Sequence, residues 1–247
     1  MSGHSKWASI KHKKGAADAK RGNLFTKIIK EISIAARLGG GDPDGNPRLR
    51  TAVLKARMAN MPKDNVERAI KKGTGELEGT TYVELTYEAY GPGRVAFLID
   101  VLTDNKNRTA AELRYILSRG AGNLEEAGSV ARLFKRKGII TYSASEYKED
   151  DILAVAVDAG AEDVSTLGDS IEVVTQPEDF EKVLEALEKA GLKQQTAEVM
   201  RIAEVEKSLP PDKTRQALKL VENLEEHEDV QSVATNLEIP EGFSLEE

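Results

Sequence analysis

Lys6, Lys11, Lys13, Lys14, Lys20 and Arg21 place six cations within 16 residues, and Trp7 and His12 lie among them. Side chains of this kind at this density can neutralise successive phosphates of a polyanion and release its condensed counterions. With about six such contacts on duplex DNA, log K falls against log salt with a slope of about −5. Trp7 has two uses open to it. It can stack on an unpaired base, a contact worth about 1–3 kcal/mol, or it can fold back onto neighbouring structure. Duplex bases are hidden, so single-stranded or looped RNA is the natural stacking partner. A second group, Lys27, Lys30, Arg48, Arg50, Lys55 and Arg57, follows at spacings suited to helix surfaces. Residues 1–75 hold 17 lysines and arginines against 6 aspartates and glutamates, a charge of +11. The remainder holds 18 against 36, a charge of −18. The overall −7 conceals this division, which suits a polyanion-binding head on an acidic body.

Other chemistries find little support. There is no cysteine, so disulfides and thiolate metal sites are excluded. His4, His12 and His227 belong to no HExxH pattern, and His227, inside "EEHEDV", reads as a surface residue. "DPDGNP" fails as a calcium loop: counted from Asp42, Gly45 is fourth and Val53 twelfth, where glycine at six and glutamate at twelve are required. "GTGELEG" follows a helix pattern instead of a strand, and there is neither a P-loop nor a GxSxG elbow. "DVLTDNKNRT" is the one polar cluster with room for chemistry, at Asp104–Arg108. It reads better as a strand-to-helix loop, with Asn107 as N-cap. We therefore expect no catalytic residues, no metal ligands, no cofactor and no small-molecule substrate.

The elements that position the cations follow from periodicity. Leu24, Phe25, Ile28, Ile29, Ile32, Ala35 and Ala36 recur at three- and four-residue spacing, which predicts a helix capped at Asn23 and ended by Gly39–Gly41. Lys27, Lys30 and Arg37 fall on its polar stripe. Pro47 opens a second helix with Leu49, Ala52, Val53 and Ala56 inside, and Pro62 a third with Val66, Ala69 and Ile70 inside. "YVELTYEAY", "GPG" and "RVAFLIDVL" read as a hairpin, and "NRTAAELRYILSRG" as a helix burying Ala111, Leu113, Ile116 and Leu117. From "IITYS" to "KQQTAEVMRIA" the order is βαββαβ, that of a ferredoxin-like unit. "KTRQALKLVENLEEHED" and "VQSVATNLEI" give a last helix and strand.

The expected fold class is thus α+β and multidomain: an N-terminal three-helix domain and two α+β domains, one ferredoxin-like and inserted in the other. The expected boundaries are a basic arm at 1–22, a helical domain at 23–79, an α+β domain at 80–137 plus 207–247, and the insertion at 138–206. No apolar run approaches the ~20 residues needed to span a bilayer, so no membrane partner is expected. The N-terminus is basic without the apolar stretch of a secretory signal. We expect a cytoplasmic protein.

"SGHSKWASIKHKKGAADAKRGNLFTKIIKEI", "GGDPDGNPRLRTAV", "ANMPKDNVERAIKKGTGELEG", "YEAYGPGRVAFLIDVLTDNKNRTAAELR" and "GNLEEAGSVARLFKRKG" together resemble the YebC family. That family includes the mitochondrial translational activator of cytochrome oxidase subunit I. The likeness covers essentially the whole chain and is densest from residue 2 to about 138. It implies three domains, one α+β domain inserted in another, and a non-enzymatic regulator of gene expression. The family carries the label of probable transcriptional regulator with DNA binding, and some members resemble translation factors acting on ribosomes that stall at proline-rich sequences. By that resemblance the basic residues between 4 and 57 touch nucleic acid, either DNA or ribosomal RNA. It supplies no catalytic residues. On the residues alone, a lysine-rich arm with one Trp suits the ribosome better than sequence-specific DNA, for which no recognition helix stands out. Two other readings remain: a protein-binding adaptor that uses the acidic body, and an enzyme at Asp104–Arg108.

Overall fold

A computed structural model describes residues 18–240 and Phe243, with side chains from Arg21 onward. The first helix, α1 (Asp18–Gly39), starts earlier than its predicted cap. Asn23 lies inside it, because Asp18–Arg21 combines an acidic residue at the positive helix end with strong helix formers. Ile28, Ile32, Ala35 and Ala36 make its buried stripe. α2 (Pro47–Met58) opens at Pro47 as expected, and α3 (Lys63–Thr74) follows Pro62. Asn46 joins the first two helices. Its Oδ1 accepts from Leu49 N at 3.1 Å, while its Nδ2 donates to the Ala35 and Gly40 carbonyls at 2.9 and 2.8 Å. α3 lies tight against α1: a Cβ on Gly73 would stand 2.3 Å from the Ser33 carbonyl oxygen.

The next sheet has four strands. β1 (Val83–Tyr90) and β2 (Ala96–Thr103) form the predicted hairpin, in register from Val83 opposite Thr103 to Tyr90 opposite Ala96. β3 (Asn123–Leu124) borders β1, and β8 (Val230–Thr235) pairs antiparallel with β2. β2 is buried on both faces, which explains its nearly continuous apolar run. α4 (Lys106–Arg119) and α7 (Pro211–Glu225) complete the core, with Leu113, Leu117, Leu218, Val221 and Leu224 meeting Phe97, Ile99 and Val101. Two expectations about α4 are corrected. Asn105, not Asn107, is the N-cap: the Thr103 hydroxyl accepts from Asn105 N at 2.9 Å and fixes its extended backbone, and Asn105 Oδ1 accepts from Arg108 N at 3.1 Å. Ala111 faces solvent, because the buried stripe is set by Thr109, Leu113 and Leu117.

Between β3 and the insertion, a loop is organised by one buried carboxylate. Glu88 on β1 accepts from the backbone N–H groups of Gly128, Val130 and Ala131 at 2.6, 2.6 and 2.9 Å. Beyond the loop the chain leaves at Leu133 and returns at Glu204, whose N–H donates to the Leu133 carbonyl at 2.9 Å.

Residues Phe134–Ile202 form a compact unit of their own. It contains β4 (Phe134–Ser143), α5 (Glu149–Ala159), β5 (Asp163–Leu167), β6 (Ser170–Thr175), α6 (Phe180–Lys189) and β7 (Thr196–Ala203). The strand order β5-β6-β4-β7, with β6 antiparallel to both β4 and β5, is the ferredoxin-like arrangement. α6 buries Phe180, Val183, Leu184 and Leu187. Tyr142 on β4 is fully buried and stacks edge-on against Tyr147 at 5.8 Å, and its hydroxyl has no partner. Burial pushes its pKa upward. Tyr142→Phe removes that unsatisfied hydroxyl at no cost in packing, so its urea midpoint is expected to equal or exceed the parent's, by up to about 1 kcal/mol. A loss of 2 kcal/mol or so would mean that the hydroxyl is satisfied in solution.

Candidate nucleic-acid interface

Lys6, Trp7, Lys11, His12, Lys13 and Lys14 lie outside the described residues, as does the side chain of Lys20 in the first turn of α1. Arg21 is exposed, its guanidinium 5.5 Å from the centre of the Phe25 ring.

The cations predicted on α1 and α2 have largely different work. Asn23, Lys27 and Lys30, at helical spacing on one side of α1, all reach the turn between α7 and β8. Asn23 Nδ2 donates to the Glu226 carbonyl at 2.6 Å, and Lys27 Nζ donates to the Glu225 carbonyl. Lys30 is 6% exposed; its Nζ lies 2.6 Å from Asp229 Oδ1 and 3.1 Å from the Glu228 carbonyl. Both lysines were expected on a phosphate-facing stripe, and Lys30 is instead a buried cation with a buried counter-ion. Arg48 forms bidentate bonds with two carboxylates, Glu31 at 2.7 and 3.1 Å and Glu84 at 3.0 and 3.1 Å. The Glu31 bonds outweigh the cost of burial and raise its pKa. A phosphate would have to displace both partners. Arg50 is exposed but donates to the Pro43 and Asp44 carbonyls at 3.2 and 2.9 Å. Lys55 is half-buried and has a partner. Arg57 is exposed and has no ion pair among the described residues.

The Asp104–Arg108 segment turns out to belong to the same seam. Asp229, fully buried, takes Lys30 on Oδ1; on Oδ2 it takes Arg108 at 2.9 Å and the Thr109 hydroxyl at 2.7 Å. Arg108 also pairs with Asp104 at 2.9 Å. Burial by itself raises the Asp229 pKa, but the bonds from Lys30, Thr109 and Arg108 outweigh it and hold the carboxyl down to about 2. His227 is not the surface residue expected. Its side chain is 10% exposed, Nδ1 accepts from Asp229 N at 3.1 Å, and Nε2 lies 2.9 Å from Glu112 Oε2. Glu112, His227 and Asp229 thus bring three potential metal ligands within 4.8 Å of one another. A metal ion there would face the two cations already seated on Asp229, so the cluster fits a structural ion-pair network better than a metal centre.

Sequence reading passed over two groups. Asp229 sits in an acidic stretch that gives no sign of burial. Arg68, Lys71 and Lys72 on α3 are exposed and carry no ion pair among the described residues. The signal for these three was present, since an inner face of Val66, Ala69 and Ile70 leaves positions 68, 71 and 72 outside. Among the described residues no helix is long and apolar enough to cross a membrane.

Comparison with known proteins accounts for nearly the whole chain. Residues 5–76 match the family model described as the TACO1/YebC protein N-terminal domain, and residues 82–237 match that of the TACO1/YebC second and third domain. A protein of Treponema denticola named "Probable transcriptional regulatory protein" is 61% identical over 247 residues, 100% of both chains. A protein of Borreliella burgdorferi with the same description is 54% identical over 99% of this chain and all of its own. The crystal structure of a conserved hypothetical protein from Aquifex aeolicus matches with a TM-score of 0.87 at 46% identity, over 96% of this chain and 98% of that one. With both family models matched in order and full-length relatives at this identity, the chain belongs to the TACO1/YebC family.

Proposed function

We propose that this protein is a non-enzymatic regulator of gene expression that grips nucleic acid with its basic head, acting as a translation factor at the ribosome. The observation that carries the reading is the charge division, +11 over residues 1–75 against −18 over the rest. A body of that sign repels polyanions, so binding is confined to the front of the chain and cannot wrap the molecule. The non-enzymatic part is supported by the fate of Asp104–Arg108. The polar cluster that offered room for chemistry is occupied by a helix cap and by the Asp229 network. A second reading, a DNA-binding transcriptional regulator in the cytoplasm, is favoured by the names of the relatives.

The test changes Lys6, Lys11, Lys13, Lys14, Lys20 and Arg21 together to glutamine in the full chain. Co-sedimentation with ribosomes and retention on chromosomal DNA are then compared at low and moderate salt. The parent is expected to travel with ribosomes and the variant to lose them, along with a salt slope of roughly 4 to 5 from about six phosphate contacts. Retention on DNA in place of ribosomes would move the assignment to the second reading. Undiminished association of the variant with its target would end both, and would favour the acidic body as an adaptor surface.

A further inference from the structure

α3 leaves a furrow beside α1 that none of the described residues fills. Ile29 and Ala69 make its floor, Asn65 stands at one side, and Arg68 and Lys72 rise along it, around a volume of about 190 Å³. That is smaller than the ~300–1,000 Å³ of pockets that enclose small-molecule ligands. It suits one unit of a polymer lying across it.

Three features mark this furrow. First, its cations are unspent. Lys27, Lys30, Arg48 and Arg50 are all bonded within the protein, whereas Arg68 and Lys72 carry no ion pair or hydrogen bond among the described residues. They are four residues apart, so their side chains rise from neighbouring points on one helix face. Lys71 is exposed beside them, and the carboxylates on the same helix are Asp64 and Glu67, the latter 3.5 Å from Lys63. Second, the Asn65 carboxamide is half-buried and has no partner among the described residues, which leaves two donors and an acceptor for an occupant. Third, the floor is apolar, with half-buried Ile29 offering what surface there is beside a nearly covered Ala69, and an apolar floor under two cations favours a group with a flat or aliphatic face and an anionic edge.

We propose that this furrow binds the sugar–phosphate backbone of single-stranded nucleic acid, with Arg68 and Lys72 on phosphates, Asn65 on a sugar hydroxyl or base edge, and Ile29 under a sugar or an unstacked base. The proposal rests on the nucleic-acid reading above and adds to it a site on α3 and a preference for unpaired strands. A duplex presents its phosphates on a convex ridge with the sugars and bases turned inward, so it meets projecting cations and does not enter a narrow furrow.

The experiment uses the full chain, a labelled 20-nucleotide oligouridylate and a 20-base-pair mixed-sequence duplex, with Kd measured across a salt series. Arg68→Gln/Lys72→Gln is compared with Arg114→Gln/Arg119→Gln, which neutralises two exposed arginines on α4, and with Asn65→Ala. Thermal melts check that each variant stays folded. Loss of two single-strand phosphate contacts lowers the slope by about 1.4 and weakens oligouridylate binding roughly ten-fold or more at moderate salt. Asn65→Ala weakens the oligouridylate without changing the slope, and the α4 pair changes neither. An unchanged slope in the α3 variant, beside a steep one in the parent, overturns the furrow and leaves the basic-head reading standing. A parent with no salt-dependent binding to either probe overturns both. Equal losses on duplex and oligouridylate overturn the single-strand assignment, and displacement of oligouridylate by poly-glutamate at equal charge makes the furrow a site for acidic protein segments instead.

Discussion

Asp229→Ala is expected to destabilise the protein by about 3–5 kcal/mol, the usual cost of removing one partner from a buried ion pair. The size comes from what is left behind. Lys30, with its side chain 8% exposed, would keep a charged Nζ with the Glu228 carbonyl as its remaining hydrogen-bond acceptor and the Tyr82 ring centre 5.7 Å away. Arg108 and Thr109 would lose their common acceptor as well. The measurement is urea unfolding of parent and variant, and a loss below about 1 kcal/mol would mean that water already reaches Lys30. Lys30→Met added to Asp229→Ala is expected to recover part of the loss, because it removes the stranded ammonium and keeps most of the volume. The network also sets an acid limit. The folded Asp229 carboxyl is held down to about 2, below the usual carboxylate range, by Lys30, Thr109 and Arg108. A depressed pKa stabilises the fold above the unfolded value and ceases to do so as pH falls through the folded one. This part of the stability, about 2 kcal/mol, is therefore complete at pH 5–6 and lost between about pH 4 and 2. Asp229→Ala should lack that component of the acid transition.

Glu88→Ala is expected to cost a similar amount, about 3–5 kcal/mol, from the loss of three charge-assisted bonds to backbone N–H groups. Glu88 is 7% exposed and its carboxylate is the acceptor for Gly128, Val130 and Ala131. Alanine leaves the buried Val130 N–H and the part-buried Gly128 and Ala131 N–H groups without their common acceptor. Glu88→Gln keeps one acceptor but turns an NH₂ toward the N–H groups, so an intermediate loss of about 2 kcal/mol is expected. Hydrogen exchange gives the sharper readout. The amides of Gly128, Val130 and Ala131 should exchange much faster in Glu88→Ala, while those of β2, in the centre of the sheet, change only with global stability. Uniform acceleration across the sheet, with no excess at these three, would contradict the assigned role.

The helices and strands were legible where burial follows a strict period. α2 opens at Pro47, the hairpin pairs as the alternation of β1 requires, and the βαββαβ order yields the ferredoxin-like sheet. Caps were less legible, because Asn105 and Asn107 are equally competent as residue types and only the Thr103 bond selects the first. The electrostatic division was plain in the sequence, but the use of individual cations was not. Lys30 and Arg48 have the composition of a phosphate-facing surface. Their partners Asp229 and Glu84 lie far away in the chain, and no local pattern brings them near. His227 misled for the same reason: its environment is built by Glu112 and the backbone of Asp229, and its neighbours in sequence are acidic.

The sheet of the host domain closes late. β2 receives β8 only after the chain has travelled through the insertion, and Ala96 is bonded to Asn236 across 140 residues. During synthesis the ferredoxin-like unit has all its strands before its host does, so it can fold while the older hairpin still waits with one edge open. Lys30 emerges early and stays hydrated until Asp229, 199 residues further on, leaves the exit tunnel. Maturation of the host is thereby coupled to synthesis of β8, and a chain released before β8 would present an open β2 edge to the quality-control machinery.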